Sequence, residues 1–140
     1  MKVSAKAEYA CLAVLALARH GLGGPPLRIR EISQEYDIPE RYLVQILLQL
    51  KGAGLVASTR GALGGYRLAR PAASISLSEI LGVIDGPDTA LASGMASRRP
   101  TASSVLATVW ENVRAAELAV LDRTTIAELA RECSPHEWII

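Results

Sequence analysis

Apolar residues recur at intervals of three and four positions along most of the chain, which is the period of an amphipathic helix. Within 40–53 the interval is followed by Leu43, Ile46, Leu47 and Leu50, and arginine, tyrosine and glutamine lie mostly on other faces. Glycine and proline interrupt the pattern at 20–26, and a segment rich in glycine, alanine, serine and aspartate interrupts it at 86–100. Six helices are predicted, over about 4–19, 30–36, 40–53, 76–85, 101–121 and 125–132.

A short β-hairpin is predicted directly after the third helix. The segments 56–59 and 66–70 have the composition of strands, and Arg60–Gly65 holds three glycines, which permit the positive φ angles of a tight turn. The two helices before the hairpin are joined by the turn Asp37–Pro39, and such a pair is typical of a helix-turn-helix. The predicted fold is therefore mainly α with a small β-hairpin wing: a winged helix-turn-helix domain plus a long dimerisation helix.

This interpretation divides the chain into two regions. Residues 1–72 form the winged helix-turn-helix domain, with the helix-turn-helix at about 28–53 and the wing at 55–70. Residues 73–140 form a dimerisation region with a loop over 86–100, the long helix over 101–121, and a C-terminal helix and tail. The long helix carries an apolar stripe, and a stripe of this length outside a small domain usually pairs with a copy of itself. The residues expected at this dimer contact are Val105, Val109, Trp110, Val113, Ala116 and Val120.

Composition and charge limit the classes of protein to which this chain can belong. Half of the 140 residues are hydrophobic and 21% are charged, a balance that supports one globular domain with a buried core. Up to Arg70 there are ten basic and five acidic side chains, a net charge of +5; from Pro71 onward five basic side chains meet nine acidic ones, a net charge of −4. The first half is therefore the part expected to contact a polyanion, and the alternative is two solvated surfaces with a chance imbalance.

Several function classes are disfavoured by the same sequence. No apolar run reaches the roughly 20 residues that span a bilayer, and the start does not have the pattern of a signal peptide, so a cytoplasmic protein without membrane contact is predicted. Cys11 and Cys133 have no metal-ligand spacing with either histidine, and no metal site is expected. We find no nucleophile with a matched base and no paired carboxylates, so the protein is not expected to be an enzyme.

The candidate chemistry is that of DNA recognition. Arginine and glutamine on the third helix can bind guanine and adenine edges in the major groove, and Arg60 beside glycines can enter a narrow minor groove. Other basic and polar side chains would contact phosphates and position the domain. The expected DNA-binding residues are Ser4, Lys6, Arg28, Arg41, Tyr42, Gln45, Gln49, Lys51, Arg60, Gly61 and Tyr66. The alternative for the helix residues is an ordinary solvated face.

Three motifs resemble the Rrf2 family of bacterial winged-helix transcription regulators. They are Met1–Ala10, Pro39–Leu47 and Arg60–Tyr66, and they occur in the family's order over nearly the whole chain. The resemblance implies a homodimer joined through the long helix, with two winged heads on a palindromic operator in double-stranded DNA, acting as a repressor. Position 44 is valine where many relatives carry a glutamate that filters operator sequences, so operator preference is expected to differ.

Some members of this family sense iron–sulfur clusters, nitric oxide or redox state through three cysteines ahead of the long helix. Residues 86–104 contain no cysteine, and thiolates are the usual cluster ligands, so no cofactor is expected. Glu8 matches a position where a few relatives place an acidic cluster ligand, but the accompanying cysteines are missing. A redox-responsive or iron–sulfur-responsive regulator of the same family is the alternative.

The cysteine-free members of the family resemble this chain most, in Ile84–Pro87 and Leu121–Ile126. They include the repressor of cysteine metabolism, which is controlled by complexing with cysteine synthase, so the resemblance implies control of sulfur metabolism and that enzyme as a partner. The tail residues Trp138, Ile139 and Ile140 would dock on this enzyme, which would capture the C-terminal carboxylate and hold the apolar side chains in a pocket. The alternative is that the tail packs on the dimer. A second class of function is a winged-helix protein-interaction module without preference among DNA sequences.

Overall fold

The fold was analysed in a computed structural model that describes residues 2–21, 24–86 and 102–133. The helices are α1 (Ala5–Arg19), α2 (Ile29–Tyr36), α3 (Glu40–Gly52), α4 (Leu77–Asp85), α5 (Ala102–Arg123) and α6 (Ile126–Glu132). The strands are β1 (Val56–Thr59) and β2 (Gly65–Leu68), and a 3₁₀ turn covers Ala72–Ser74. The predicted fold class, mainly α with a β-hairpin wing, is confirmed.

Helix α1 lies at the centre of the fold. Ser4 begins it as N-cap, with its hydroxyl accepting a hydrogen bond from the Ala7 amide at 3.0 Å. Small residues let neighbouring helices approach closely, and α1 contacts α2, α3, α4, α6 and β2. Its buried residues are Ala7, Ala10, Ala13, Val14, Leu15, Ala16 and Leu17. The core is aliphatic, and burying a leucine or isoleucine side chain contributes about 1.5–3 kcal/mol to stability.

The turn between α2 and α3 lies where the sequence predicts it, at Asp37–Pro39. Asp37 ends α2 in the left-handed conformation, with φ of 56°, which aspartate tolerates better than most residues. The amide of Ile38 donates to the Ser33 carbonyl at 2.9 Å, and Ile38 itself is buried. Pro39 then precedes the first turn of α3. Helix α2 begins at Ile29, one residue before the predicted start, because Glu31 accepts a hydrogen bond from the Arg28 amide at 3.1 Å and caps this end.

Helices α4 and α6, which the sequence places in the dimerisation region, contribute to the hydrophobic core of the winged head. Ile75, Ile80 and Ile126 belong to the same buried core as α1, α2 and α3. The Leu77 amide donates to the Thr124 carbonyl at 3.0 Å, and the Ile126 amide donates to the Ile75 carbonyl at 2.9 Å. The core of the head therefore draws on residues well beyond position 72.

Polar contacts fix the start of α4. Ser76 and Glu79 form the predicted capping box, in which the Ser76 hydroxyl accepts from the Glu79 amide. Arg70 donates to both carboxylate oxygens of Glu79, at 2.9 and 2.8 Å, and these hydrogen bonds lower the pKa of that carboxyl. The contact ties the end of the wing to α4.

Helix α5 differs from the others because it buries none of its 22 residues fully. At 1.5 Å per residue it is about 33 Å long, and it ends two residues beyond the predicted boundary. Arg114, Glu117 and Leu121 are half-buried on the side that packs against α4. Among the described residues, no helix is long and apolar enough to cross a membrane.

Candidate nucleic-acid interface

Helix α3 buries one face and exposes the other. Leu43, Ile46, Leu47 and Leu50 are fully buried and anchor the helix to the core. Successive residues of a helix turn by 100°, so the side opposite this buried face is centred on Arg41, Gln45 and Leu48, all of which are exposed. The predicted base-contacting residues Arg41 and Gln45 therefore lie on the solvent side of a helix whose position is fixed by packing.

Leu48 is the residue of this face that was not expected at the site from the sequence, and Val44, already linked to operator preference, lies beside it. Leu48 is 59% exposed and Val44 is 49% exposed, one helical turn apart. Only polar and basic side chains of α3 were considered as base contacts from the sequence, so Leu48 was missed. An apolar side chain at this position can contact the methyl group of thymine in the major groove.

Tyr42 is held between two other side chains. Its ring stacks on Tyr9 of α1, with ring centroids 5.6 Å apart and an interplanar angle of 30°. The Arg41 guanidinium carbon lies 5.1 Å from the centroid of the Tyr42 ring, within the range of a cation–π contact. Tyr42 therefore orients Arg41 and connects α3 to α1. Its contact with phosphate stays a prediction.

Two predicted contacts lie near the C-terminal end of α3. Gln49 is half-buried, and its amide oxygen is buried with no hydrogen-bond partner in the described part of the chain. Lys51 is exposed in the last turn, where a positive charge also compensates the negative end of the helix dipole. Lys51 is therefore available to a phosphate, whereas Gln49 has only part of its amide at the surface.

The wing is a two-stranded antiparallel hairpin with Arg60 at its tip. Val56 pairs with Leu68 and Thr59 pairs with Gly65, and Arg60 is exposed beyond the last pair. Gly61 follows with φ of 104°, a conformation that favours glycine. The second strand begins one residue before and ends two residues before the predicted 66–70. The Ala69 amide donates to the Leu55 carbonyl at 3.0 Å, directly beyond the pair of Val56 and Leu68.

Contacts with residues 27–28 brace the wing against the head. Leu27 and Tyr66 exchange two backbone hydrogen bonds, at 2.8 and 2.7 Å. The guanidinium of Arg28 donates to the Ala62 carbonyl at the tip. Arg28 and Tyr66, both predicted DNA-binding residues, thus have structural roles in positioning the tip. Their contacts with DNA remain predictions.

Gly65→Ala is expected to displace the wing. A Cβ at Gly65 would lie 2.4 Å from the Leu27 carbonyl oxygen, and the residue has φ of 154°. The variant should lose roughly 1–3 kcal/mol of unfolding free energy in urea denaturation. The matched change Gly52→Ala, where a Cβ meets no atom within 4 Å, should shift stability by less than about 1 kcal/mol. Equal effects of the two changes would show that the wing does not need this close approach.

The N-terminal predicted contacts lie at the start of α1. The Ser4 hydroxyl donates to Asp85 Oδ1 at 2.7 Å in addition to capping the helix. Lys6 is half-buried one residue before the first fully buried position, Ala7. The structure therefore gives the Ser4 hydroxyl two protein partners, and its contact with phosphate stays a prediction.

The predicted dimer stripe is exposed along α5. Val105 is 67% exposed, Val113 is 47% exposed, and the other members are also exposed. At 100° per residue, the valines of this stripe lie next to the half-buried residues that face α4, and Trp110 lies at the angle between Glu117 and Leu121. The described residues do not include the predicted tail residues Trp138, Ile139 and Ile140 or positions 87–100 of the predicted loop 86–100.

The described part of the chain contains both cysteines, and their surroundings differ. No group of three or more histidine, cysteine, aspartate or glutamate residues there could hold a metal ion. Cys11 is half-buried, and burial, together with the nearby Glu8 and Asp85 charges, raises the pKa of its thiol to about 11. Cys133, at the end of α6, is exposed.

Iodoacetamide at pH 8 is expected to alkylate Cys133 and to leave Cys11 unmodified. With a pKa of about 11, only about one Cys11 thiol in a thousand is a thiolate at pH 8, and the thiolate is the reactive form. Intact-mass spectrometry should show one adduct on the native protein, two in urea, and none on native Cys133→Ser. Two adducts on the native protein would contradict this protection.

The chain is similar to known regulators over most of its length. A family model named Rrf2, iron-dependent transcriptional regulator, matches residues 3–132. A Mycobacterium tuberculosis protein named as an HTH-type transcriptional regulator is 37% identical over 138 residues, covering 97% of this chain and 85% of that protein. The HTH-type transcriptional regulator CymR of Bacillus subtilis is 35% identical over 131 residues, covering 93% and 90%. The solved structure of CymR, the global cysteine regulator of B. subtilis, has a TM-score of 0.82 at 34% identity, covering 94% and 98%.

Proposed function

The chain belongs to the Rrf2 family of transcriptional regulators, and we propose that it represses transcription as a homodimer bound to a palindromic operator. One observation carries the proposal: a helix anchored by four buried residues exposes Arg41, Gln45 and Leu48 beside a wing tipped by Arg60. In this proposal α3 enters the major groove and Arg60 enters the adjacent minor groove.

The second copy of the chain is proposed to cover the stripe on α5. Valines exposed at 105, 109, 113 and 120 form a continuous apolar face, and soluble monomers rarely leave such a face in water. Pairing of two identical stripes gives a two-fold dimer, and a two-fold dimer matches a palindromic site. Two heads on one duplex also gain affinity from their linkage.

Control of cysteine or sulfur metabolism is proposed for the regulated genes. The support is the similarity to CymR, the global cysteine regulator of B. subtilis, in sequence and in fold. We also propose that the protein acts without an iron–sulfur cluster, because residues 86–104 contain no cysteine. A cluster-responsive regulator is the other candidate, favoured by the description of the family as iron-dependent.

Selection of bound DNA from a random duplex pool tests the proposal. We would run it at about 150 mM salt, where nonspecific phosphate binding is weak. Enrichment of a palindromic motif by the wild-type protein is the expected result. Recovery of sequences without a common motif would favour the alternative function, a winged-helix module that binds a protein.

Leu48 is expected to read thymine methyl groups in the selected operator. Replacing each thymine near α3 by deoxyuridine removes one methyl group, and burying one is worth about 0.8 kcal/mol. The wild-type Kd should rise about four-fold at the contacted position, whereas Leu48→Ala should bind the two duplexes equally. Leu63→Ala, which truncates an exposed leucine of the wing turn, is the control and should keep the four-fold difference. The same four-fold difference in Leu48→Ala would assign the methyl contact to another residue.

A further inference from the structure

A cavity of about 190 Å³ lies where the N-terminal segment, α4 and α5 meet. Lys2 and Val3 form one wall, and residues of α4 and α5 form the others. None of the predicted DNA-binding residues and none of the predicted dimer-stripe residues lines it. The proposed function therefore leaves this cavity unused.

The lining of the cavity combines charges of both signs with an apolar surface. Lys2 and Arg114 supply two positive charges, and Asp85 and Glu117 supply two negative charges. Leu81, Leu118 and Leu121 supply the apolar part. The four charges sum to zero, so the lining as a whole favours neither a simple anion nor a simple cation. A zwitterion with a short apolar group would find a complementary partner for each of its parts.

Gly82 keeps the α4 wall of the cavity open. Glycine inside a helix costs about 0.5–1 kcal/mol relative to alanine. Close packing does not require it here, because a Cβ at Gly82 would meet no atom within 4 Å. The position thus carries the conformational cost of glycine and leaves empty space beside the four charged groups.

We propose that this cavity binds a free α-amino acid. Its carboxylate would lie against Lys2 and Arg114, its ammonium against Asp85 and Glu117, and its side chain against the leucines. The size is suitable: roughly 10–15 Å³ of such cavity volume is enough to hold one water, so about 190 Å³ has room for a molecule of several heavy atoms.

The cavity also contacts the start of the DNA-binding head. Asp85 accepts the hydrogen bond from Ser4, and Ser4 caps α1. Helix α1 carries Tyr9, which stacks on Tyr42 of α3. An ammonium group at Asp85 competes with the Ser4 hydroxyl, so the ligand acts on the helix that supports α3. This regulatory part of the inference rests on the proposed DNA-binding function.

Thermal unfolding with a panel of the common L-amino acids tests the binding part without DNA. At about 100-fold excess over Kd, at least one of them should raise Tm by roughly 5 °C or more. Isovalerate and isoamylamine, which carry only one of the two charges, should not. Gly82→Leu should remove the shift by filling the cavity, Gly82→Ala should keep it, and Arg114→Gln should reduce it. No shift with any amino acid, or an equal shift in Gly82→Leu, would overturn the proposal.

Operator binding then tests the regulatory part. The amino acid that raises Tm should change the operator Kd of the wild-type protein at least three-fold and should leave that of Gly82→Leu unchanged. An operator Kd that does not respond to the bound amino acid would overturn the regulatory role. Absence of any operator would instead count against the proposed function, because amino-acid binding is measured without DNA.

Discussion

Val113→Asp is expected to make the protein monomeric and to weaken operator binding at least about 100-fold. Val113 lies in the middle of the exposed stripe of α5, between Val109 and Ala116. In a two-fold dimer the substitution places a carboxylate from each protomer in the apolar contact, where an unpaired buried charge costs several kcal/mol. The loss of linkage between two heads accounts for a factor of 10² to 10⁴ in affinity.

A matched variant separates loss of pairing from damage to the helix. Ala115→Asp introduces the same side chain at an exposed position two residues later, about 200° around α5 from Val113. It should remain dimeric by light scattering and bind the operator as the wild type does. Thermal unfolding should show that both variants keep a folded head. A dimeric Val113→Asp protein with normal operator affinity would mean that the valine stripe is not the contact between protomers.

Local patterns predicted the elements of the head because each element depends on nearby residues. The α3 helix follows from four apolar residues at helical spacing, and its boundary differs from the prediction by one residue. The turn at Asp37 and the hairpin at Gly61–Gly65 depend on residues that tolerate positive φ angles. Capping explains the start of α4, since Ser76 and Glu79 are three residues apart.

Contacts between distant segments could not be predicted in the same way. The hydrogen bond between Ser4 and Asp85 joins residues 81 positions apart, and no local pattern relates them. Amphipathic helices such as α4 and α6 could bury their apolar faces in the head or in a dimer, and spacing does not distinguish these cases.

Roles of single side chains were the least predictable part of the site. Arg28 and Arg60 are both basic residues in or near loops, and the sequence assigned both to DNA. In the structure Arg28 donates to the Ala62 carbonyl and braces the wing, whereas Arg60 is exposed at the tip. Tyr42, expected at a phosphate, stacks on Tyr9. Side-chain roles depend on which neighbours tertiary packing supplies.

Arg60→Ala is expected to weaken binding to the selected operator by about 10- to 100-fold and to leave stability unchanged. An exposed arginine at a glycine-containing turn can enter a narrow minor groove, where each good contact contributes about 1–3 kcal/mol.

Arg67→Ala is the control, because it removes the same charge from an exposed position on β2. Fluorescence anisotropy on operator and scrambled duplexes, each at several salt concentrations, measures both effects. Arg67→Ala should weaken the two duplexes by similar factors, as a phosphate contact does, whereas Arg60→Ala should weaken the operator more. Equal losses on both duplexes for Arg60→Ala would assign Arg60 to the phosphate backbone and leave sequence recognition to α3.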